Sequence, residues 1–209
     1  NLRYNQNQTI FNLLVKNENL GEFCIHVPGE HNVKNALGAV TLALQLDIKV
    51  EKIQAGLDQY NGVRRRFDIK YTLENGIIIV DDYAHHPFEV TSTIQAAKSG
   101  WDRRLITVFQ PHLFTRTRDF YQDFAKAFQK ADILIVTDIY QAREMPIPGI
   151  TAEIISDTAK KMGHKHVEYI PDQTQIAARL SDIAESNDMI ITMGAGNIWR
   201  QCERIYEAI

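Results

Sequence analysis

Three stretches of this 209-residue chain gather side chains that can do chemistry, and each follows a run of aliphatic residues. Ile77–Val80 leads into Asp81-Asp82-Tyr83-Ala84-His85-His86-Pro87. Leu105–Phe109 leads into Gln110-Pro111-His112-Leu113-Phe114-Thr115-Arg116-Thr117-Arg118. The last run ends in Met193-Gly194-Ala195-Gly196-Asn197. In an open α/β sheet, ligands bind beyond the carboxyl ends of the strands, so three such loops can share one pocket. Asp82 suits a ribose hydroxyl pair, and equally a helix N-cap. Arg116 and Arg118 at a helix start oppose the macrodipole unless an anion sits there. Gly194-Ala195-Gly196 makes either an anion-binding nest or a plain tight turn. Adjacent His85 and His86, with no Cys or third His close by in sequence, do not make a zinc set, and no metal site is expected. His31, Asn32 and Asn35 lie on the first turns of a helix, where N-capping accounts for one of them but not three. Arg64-Arg65-Arg66 is too short a run for a nucleic-acid patch. It is either a solvated linker or a phosphate contact at a domain junction, since Arg forks match phosphate oxygens.

The elements that must position these residues follow from periodicity. Phe11, Leu13 and Val15, then Phe23, Ile25 and Val27, predict two strands joined through Lys16–Asn19, with His26 on the solvated face. Val33, Ala36, Leu37, Val40 and Leu44 mark a helix from His31 to about Leu46. A second helix covers Val50–Gln59. Beyond Arg66, strands are expected at Phe67–Leu73, Ile77–Asp82, Leu105–Phe109, Ile133–Thr137, Val167–Ile170 and Met189–Met193, with a tight hairpin at Asn75-Gly76. Helices are expected at about Pro87–Lys98, Arg118–Lys130, Thr151–Met162, Asp172–Glu185 and Ile198–Glu207. The aromatic stripe Phe120, Tyr121, Phe124, Phe128 reads as core. This alternation predicts an α/β fold: a Rossmann-like, mostly parallel sheet with flanking helices, preceded by a partial α/β domain.

Composition narrows the class. With 23 Lys+Arg against 26 Asp+Glu the net charge is −3, which excludes a strongly basic nucleic-acid binder. The charge is uneven: residues 1–66 carry +2 and residues 67–209 carry −5, with the step at the arginine run. A boundary is therefore expected there, giving domains 1–65 and 66–209. Two cysteines make no disulfide framework and fit a reduced, cytoplasmic protein. The apolar runs are too short to span a bilayer, so no membrane insertion is expected.

Gly29-Glu30-His31-Asn32-Val33-Lys34-Asn35-Ala36, Gly62-Val63-Arg64-Arg65-Arg66-Phe67 and Asp82-Tyr83-Ala84-His85-His86-Pro87, in that order, resemble the signature of the Mur ligases. These are the ATP-dependent amide-forming ligases of peptidoglycan precursor synthesis. Phe109–Asp119, Asp138-Ile139-Tyr140 with Pro146-Ile147-Pro148-Gly149, and Thr192–Ile198 are similar to the branch that adds the first amino acid. The resemblance implies that L-alanine is joined to UDP-N-acetylmuramate through an acyl phosphate, with ATP and Mg. It implies that His31, Asn32 and Asn35 lie at the adenine, and that Arg66, with Arg65 as a second candidate, reaches the ATP phosphates. Asp82 would bind the ribose, Tyr83 and His85 would face the amino acid, and His112 and Arg116 would hold its carboxylate. Arg66 and His85 are the residues expected to take part in catalysis.

The resemblance also implies a longer protein. The family's Gly-rich phosphate loop ending in Gly-Lys-Thr/Ser does not occur in these residues, and its magnesium ligands would precede Asn1. Residues 1–65 then correspond to the tail of the central ATP-binding domain, and the chain by itself is expected to be inactive. One departure is Leu113, where the family often has Arg, which puts a substrate contact there in doubt. Two other readings remain. One is a ligase that recycles murein tripeptide onto UDP-N-acetylmuramate; the other is a stand-alone, non-catalytic nucleotide-binding module. A dehydrogenase fits poorly, because the Gly motif follows the last strand and lacks a third Gly.

Overall fold

A computed structural model describes residues 1–209. The chain divides into two compact units. Asn1–Val63 with Gln95–Asp102 make the first, and Arg64–Ile94 with Arg103–Ile209 the second.

The first unit has three antiparallel strands, β1 (Leu2–Asn5), β2 (Gln8–Val15) and β3 (Glu18–Ile25), in that spatial order. Lys16 and Asn17 both have positive φ, 49° and 68°, the conformation of a two-residue hairpin turn whose twist matches its strands. β1 precedes the two strands that periodicity predicts. Leu2-Arg3-Tyr4-Asn5 is short and mostly exposed, so it carries no alternating pattern and is held by its pairing with β2. Two helices follow, α1 (Glu30–Gln45) and α2 (Val50–Asp58). Phe11, Phe23, Ile25 and Val27 form the core with Val33, Ala36 and Val40 of α1 and Ile53 of α2. Gly29 starts α1 with φ of 96°, and a Cβ there would lie 2.8 Å from the His31 ring. The positive φ favours glycine there, and a Cβ would make the His31 ring shift. β3 is an edge strand, and Gln54 of α2 donates its amide to the Glu22 carbonyl at 3.0 Å and to the Leu20 carbonyl at 3.4 Å. Those bonds satisfy two carbonyls of that strand.

The second unit is a six-stranded sheet. Its elements are β4 (Asp68–Thr72), β5 (Ile78–Asp82), α3 (Pro87–Gly100, which counts with the first unit from Gln95 on), β6 (Leu105–Phe109), α4 (Phe114–Ala127), β7 (Ile133–Val136), α5 (Glu153–Lys161), β8 (Val167–Tyr169), α6 (Ile176–Ile183), β9 (Met189–Met193) and α7 (Gln201–Ala208). The spatial order is β4-β5-β9-β6-β7-β8; all neighbours are parallel except β4, which hairpins onto β5 through Asn75-Gly76. Every residue of β5, β6 and β9 is buried, as expected for strands covered on both faces. The core joins Ile77, Ile79, Ile106, Val108, Ile135 and Ile190 to Leu180, Ile198 and Ile205.

α4 starts at Phe114, four residues before the expected Arg118. Its N-cap is Leu113, at φ 73° and ψ 136°, with no side-chain cap of its own. A leucine there gives no local start signal. Phe128–Lys130 continue α4 as a 3₁₀ turn, and similar turns, Gln173–Gln175 and Ile198–Arg200, precede α6 and α7.

Candidate functional site

The sheet register sets the site. Asp82 at the end of β5 and Phe109 at the end of β6 both pair with Met193 of β9. All three loops therefore leave adjacent strands at the same level, at the edge where ligands bind in such sheets.

The β5 end is a closed polar knot. Asp82 is 5% exposed, and its two oxygens accept the backbone N–H groups of Phe67 and Ala84, each at 2.7 Å. Burial pushes its carboxyl up to about 6, against the pull of those hydrogen bonds and of Arg66. Asp81 is raised as well, because burial outweighs its bonds to Arg65 and Thr192. Arg65 donates Nε to Asp81 at 2.9 Å and a terminal nitrogen to the Gly194 carbonyl at 2.8 Å. Arg65 and Phe67 both have positive φ, 62° and 46°, and their backbone N–H groups go to Asp68 and Asp82. The corner that carries the arginines is thus tied down by three carboxylates.

Arg66 points elsewhere. Its side chain is 51% exposed, 3.5 Å from Glu89, with its guanidinium 5.5 Å from the Tyr83 ring centroid. His85 stands edge-on to Tyr83 at 5.1 Å and to His112 at 5.9 Å. Its Nδ1 is 2.9 Å from the Tyr83 carbonyl, which can only accept, so the proton sits on Nδ1 and Nε2 is left as an acceptor in the neutral ring. Glu89 takes the backbone N–H groups of His85 and His86 at 3.0 and 3.2 Å. His86-Pro87-Phe88-Glu89 is a capping arrangement with Pro at the first helical position. That signal is legible in the sequence, and Glu89 was not among the residues singled out.

On the β6 loop, His112 stacks on Tyr140, with centroids 5.8 Å apart and planes 17° apart. An Arg116 nitrogen lies 3.4 Å from His112 Nδ1 and can only donate, so Nδ1 accepts and Nε2 carries the proton. Burial, then the charge of Arg116, hold His112 below the usual histidine range. The wall thus presents a neutral donor beside a fixed cation. Tyr140 is placed by backbone bonds with Pro111 and Leu113 at 2.8 and 3.0 Å. The anion expected at the start of α4 is the chain's own Glu144, which accepts the Thr115 N–H at 3.0 Å and its hydroxyl at 2.5 Å. Arg118 pairs with Asp119 at 2.7 Å. Tyr140 lies in a stretch that carries the resemblance but was given no role there, and Glu144 had no local signal; both come from a loop some thirty residues away.

The Gly194–Asn197 loop is held by packing. Gly194 has φ of 149°, and a Cβ there would lie 2.7 Å from the Gln110 carbonyl. Buried Gln110 donates its amide to Asn197 at 2.9 Å and accepts the Ile198 N–H at 3.2 Å.

In the first unit, His31, Asn32 and Asn35 lie on the opening turns of α1. Asn32 donates to the Pro28 carbonyl at 2.8 Å, His31 is half-buried against Gly29, and Asn35 is exposed. No helix in the chain is long and apolar enough to cross a membrane.

A family model described as "Mur ligase, glutamate ligase domain" matches residues 65–196. A UDP-N-acetylmuramate–L-alanine ligase from Geotalea daltonii is 46% identical over the whole of this chain, which covers 45% of that protein. Another from Salinibacter ruber is 43% identical, again over the whole chain and 44% of its own length. The crystal structure of a UDP-N-acetylmuramate–alanine ligase from Thermotoga maritima superposes with a TM-score of 0.85 at 27% identity, covering 99% of this chain and 44% of that one. The chain thus spans about half the length of the relatives it matches.

Proposed function

We propose that this chain, which belongs to the Mur ligase family, is part of an ATP-dependent ligase that joins L-alanine to UDP-N-acetylmuramate. The observation that carries this reading is the wall of His85, His112 and Arg116 at the ends of β5 and β6. It combines an acceptor, a neutral donor and a cation, the set needed for the ammonium and carboxylate of a free amino acid. Identity of 43–46% to ligases named for L-alanine supports the acceptor.

In the proposed reaction the lactyl carboxylate of UDP-N-acetylmuramate takes the terminal phosphoryl group of ATP, releasing ADP. The alanine amine then attacks the acyl carbon, a proton leaves the nitrogen, and phosphate departs as the amide forms. His112 and Arg116 hold the alanine carboxylate. His85 Nε2 accepts the proton from the incoming ammonium, its ring aimed by the Tyr83 carbonyl and Glu89. Arg66, extended over Tyr83, meets phosphate oxygens, while Arg65 is committed to Asp81 and Gly194. Asp82 meets a ribose only through the remaining lone pairs of its engaged oxygens. His31, Asn32 and Asn35 read the adenine. Magnesium, when bound, would offset charge on the phosphates.

Phosphate release by the full-length enzyme, with UDP-N-acetylmuramate, ATP and magnesium, tests the reading. Release is expected with L-alanine and not with a murein tripeptide. The opposite preference would make it the recycling ligase, and release with neither would leave a nucleotide-binding module.

A further inference from the structure

Cys24 and His26 stand two residues apart at the end of β3, so their side chains leave the same face of the strand. Their neighbours Phe23 and Ile25 fill the core from the other face. Asp58, the last residue of α2, meets them there: its Oδ1 is 3.0 Å from His26 Nε2. The Cys24 sulfur, a His26 ring nitrogen and an Asp58 oxygen all lie within 4.8 Å of one another. None of the three takes part in the ligase site. We propose that Cys24, His26 and Asp58 bind one divalent transition-metal ion of the Zn²⁺ class, with solvent completing a four-coordinate shell.

The donor set selects the ion. One thiolate and one imidazole favour zinc-like metals and disfavour magnesium and calcium, which take oxygen shells. Three protein ligands with one open position is the pattern of accessible zinc sites. A thiolate and a carboxylate together neutralise a divalent charge. Ligand bonds of about 2.0–2.3 Å need donor atoms roughly 3.5 Å apart. Asp58 is 63% exposed at its side chain and can swing to close that distance. Gln54 ties α2 to the β3 edge beside the site.

Gln8 supplies the outer support. Its amide nitrogen lies 3.3 Å from His26 Nδ1. A flip of that amide presents its oxygen instead, which accepts an Nδ1 proton and leaves Nε2 to the metal. Binding then replaces the His26–Asp58 hydrogen bond and sends the Cys24 thiol proton to solvent.

Cobalt(II) is the probe, added to the untagged, reduced protein. One equivalent should give a thiolate-to-cobalt charge-transfer band in the near ultraviolet, and Zn²⁺ should remove it. Cys24→Ser should abolish the band, whereas Cys202→Ser, at a buried site, should keep it. Asp58→Asn, an exposed change that leaves the fold intact by circular dichroism, should weaken zinc competition by at least about tenfold. No band from wild type, a band that survives Cys24→Ser, or unchanged affinity in Asp58→Asn would overturn the proposal.

Discussion

Arg65 and Arg66 are adjacent, yet they belong to two differently built regions. Arg65 closes a buried knot at the end of β5, with Asp81, Asp82, Thr192 and the Gly194 carbonyl as its members. Arg66 belongs to an open wall with Tyr83, His85, His112 and Arg116, where rings touch edge to face and side chains reach solvent. The knot uses its charges on the chain itself and fixes the backbone at positive φ. The wall keeps its charges where a ligand can take them. A polar residue beside a site is therefore not a ligand contact by default, and its hydrogen-bond partners decide which region it serves.

The largest effect should come from breaking the knot. Arg65→Ala strips the main partner from Asp81, whose side chain is 3% exposed. Loss of one partner of a buried pair costs about 3–5 kcal/mol, and urea unfolding should read toward the lower end, because Arg65 itself is partly exposed. A second effect concerns Asp82. Its carboxyl is raised in the folded state, so its contribution to stability is full below the unfolded value near 3.8 and is lost as pH rises through about 6. That shift corresponds to about 2–3 kcal/mol. The stability difference between wild type and Asp82→Asn should change by that amount between about pH 4 and pH 7. A difference independent of pH would show that the two backbone hydrogen bonds offset burial fully.

Smaller effects belong to the wall. Glu89→Ala removes the acceptor of the His85 and His86 N–H groups and should cost about 1 kcal/mol, or about 2–4 °C in thermal midpoint. Arg66→Ala should alter stability by less than about 0.5 kcal/mol. Equal destabilisation by the Arg65 and Arg66 substitutions would erase the distinction between the two regions.

Much of the fold was legible because buried parallel strands are continuous aliphatic runs. Leu105–Phe109 and Met189–Met193 are found at their expected bounds. The start of α4 was not legible, since Leu113 caps it by backbone conformation and Glu144 supplies its anion from 29 residues away. Glu144 gives the start of α4 an anion from within the chain, so the macrodipole alone does not call for an external one. Three neighbouring arginines also look alike in sequence; only the crossover that sets β9 beside β5 gives Arg65 the Gly194 carbonyl. The chain's own strand order, with β9 between β5 and β6, assembles the wall and the knot from segments far apart along it.

The central claim is that the wall holds an amino-acid substrate, and steady-state kinetics of Arg116→Ala in the full-length enzyme tests it most directly. Removing one partner of a desolvated charge pair costs on the order of 2–5 kcal/mol, or roughly thirty-fold to several thousand-fold. kcat/KM for L-alanine should fall by that factor, with the KM for ATP essentially unchanged and little discrimination left between L-alanine and L-alaninamide. A raised KM for ATP with L-alanine use untouched would contradict it and move Arg116 to the nucleotide phosphates.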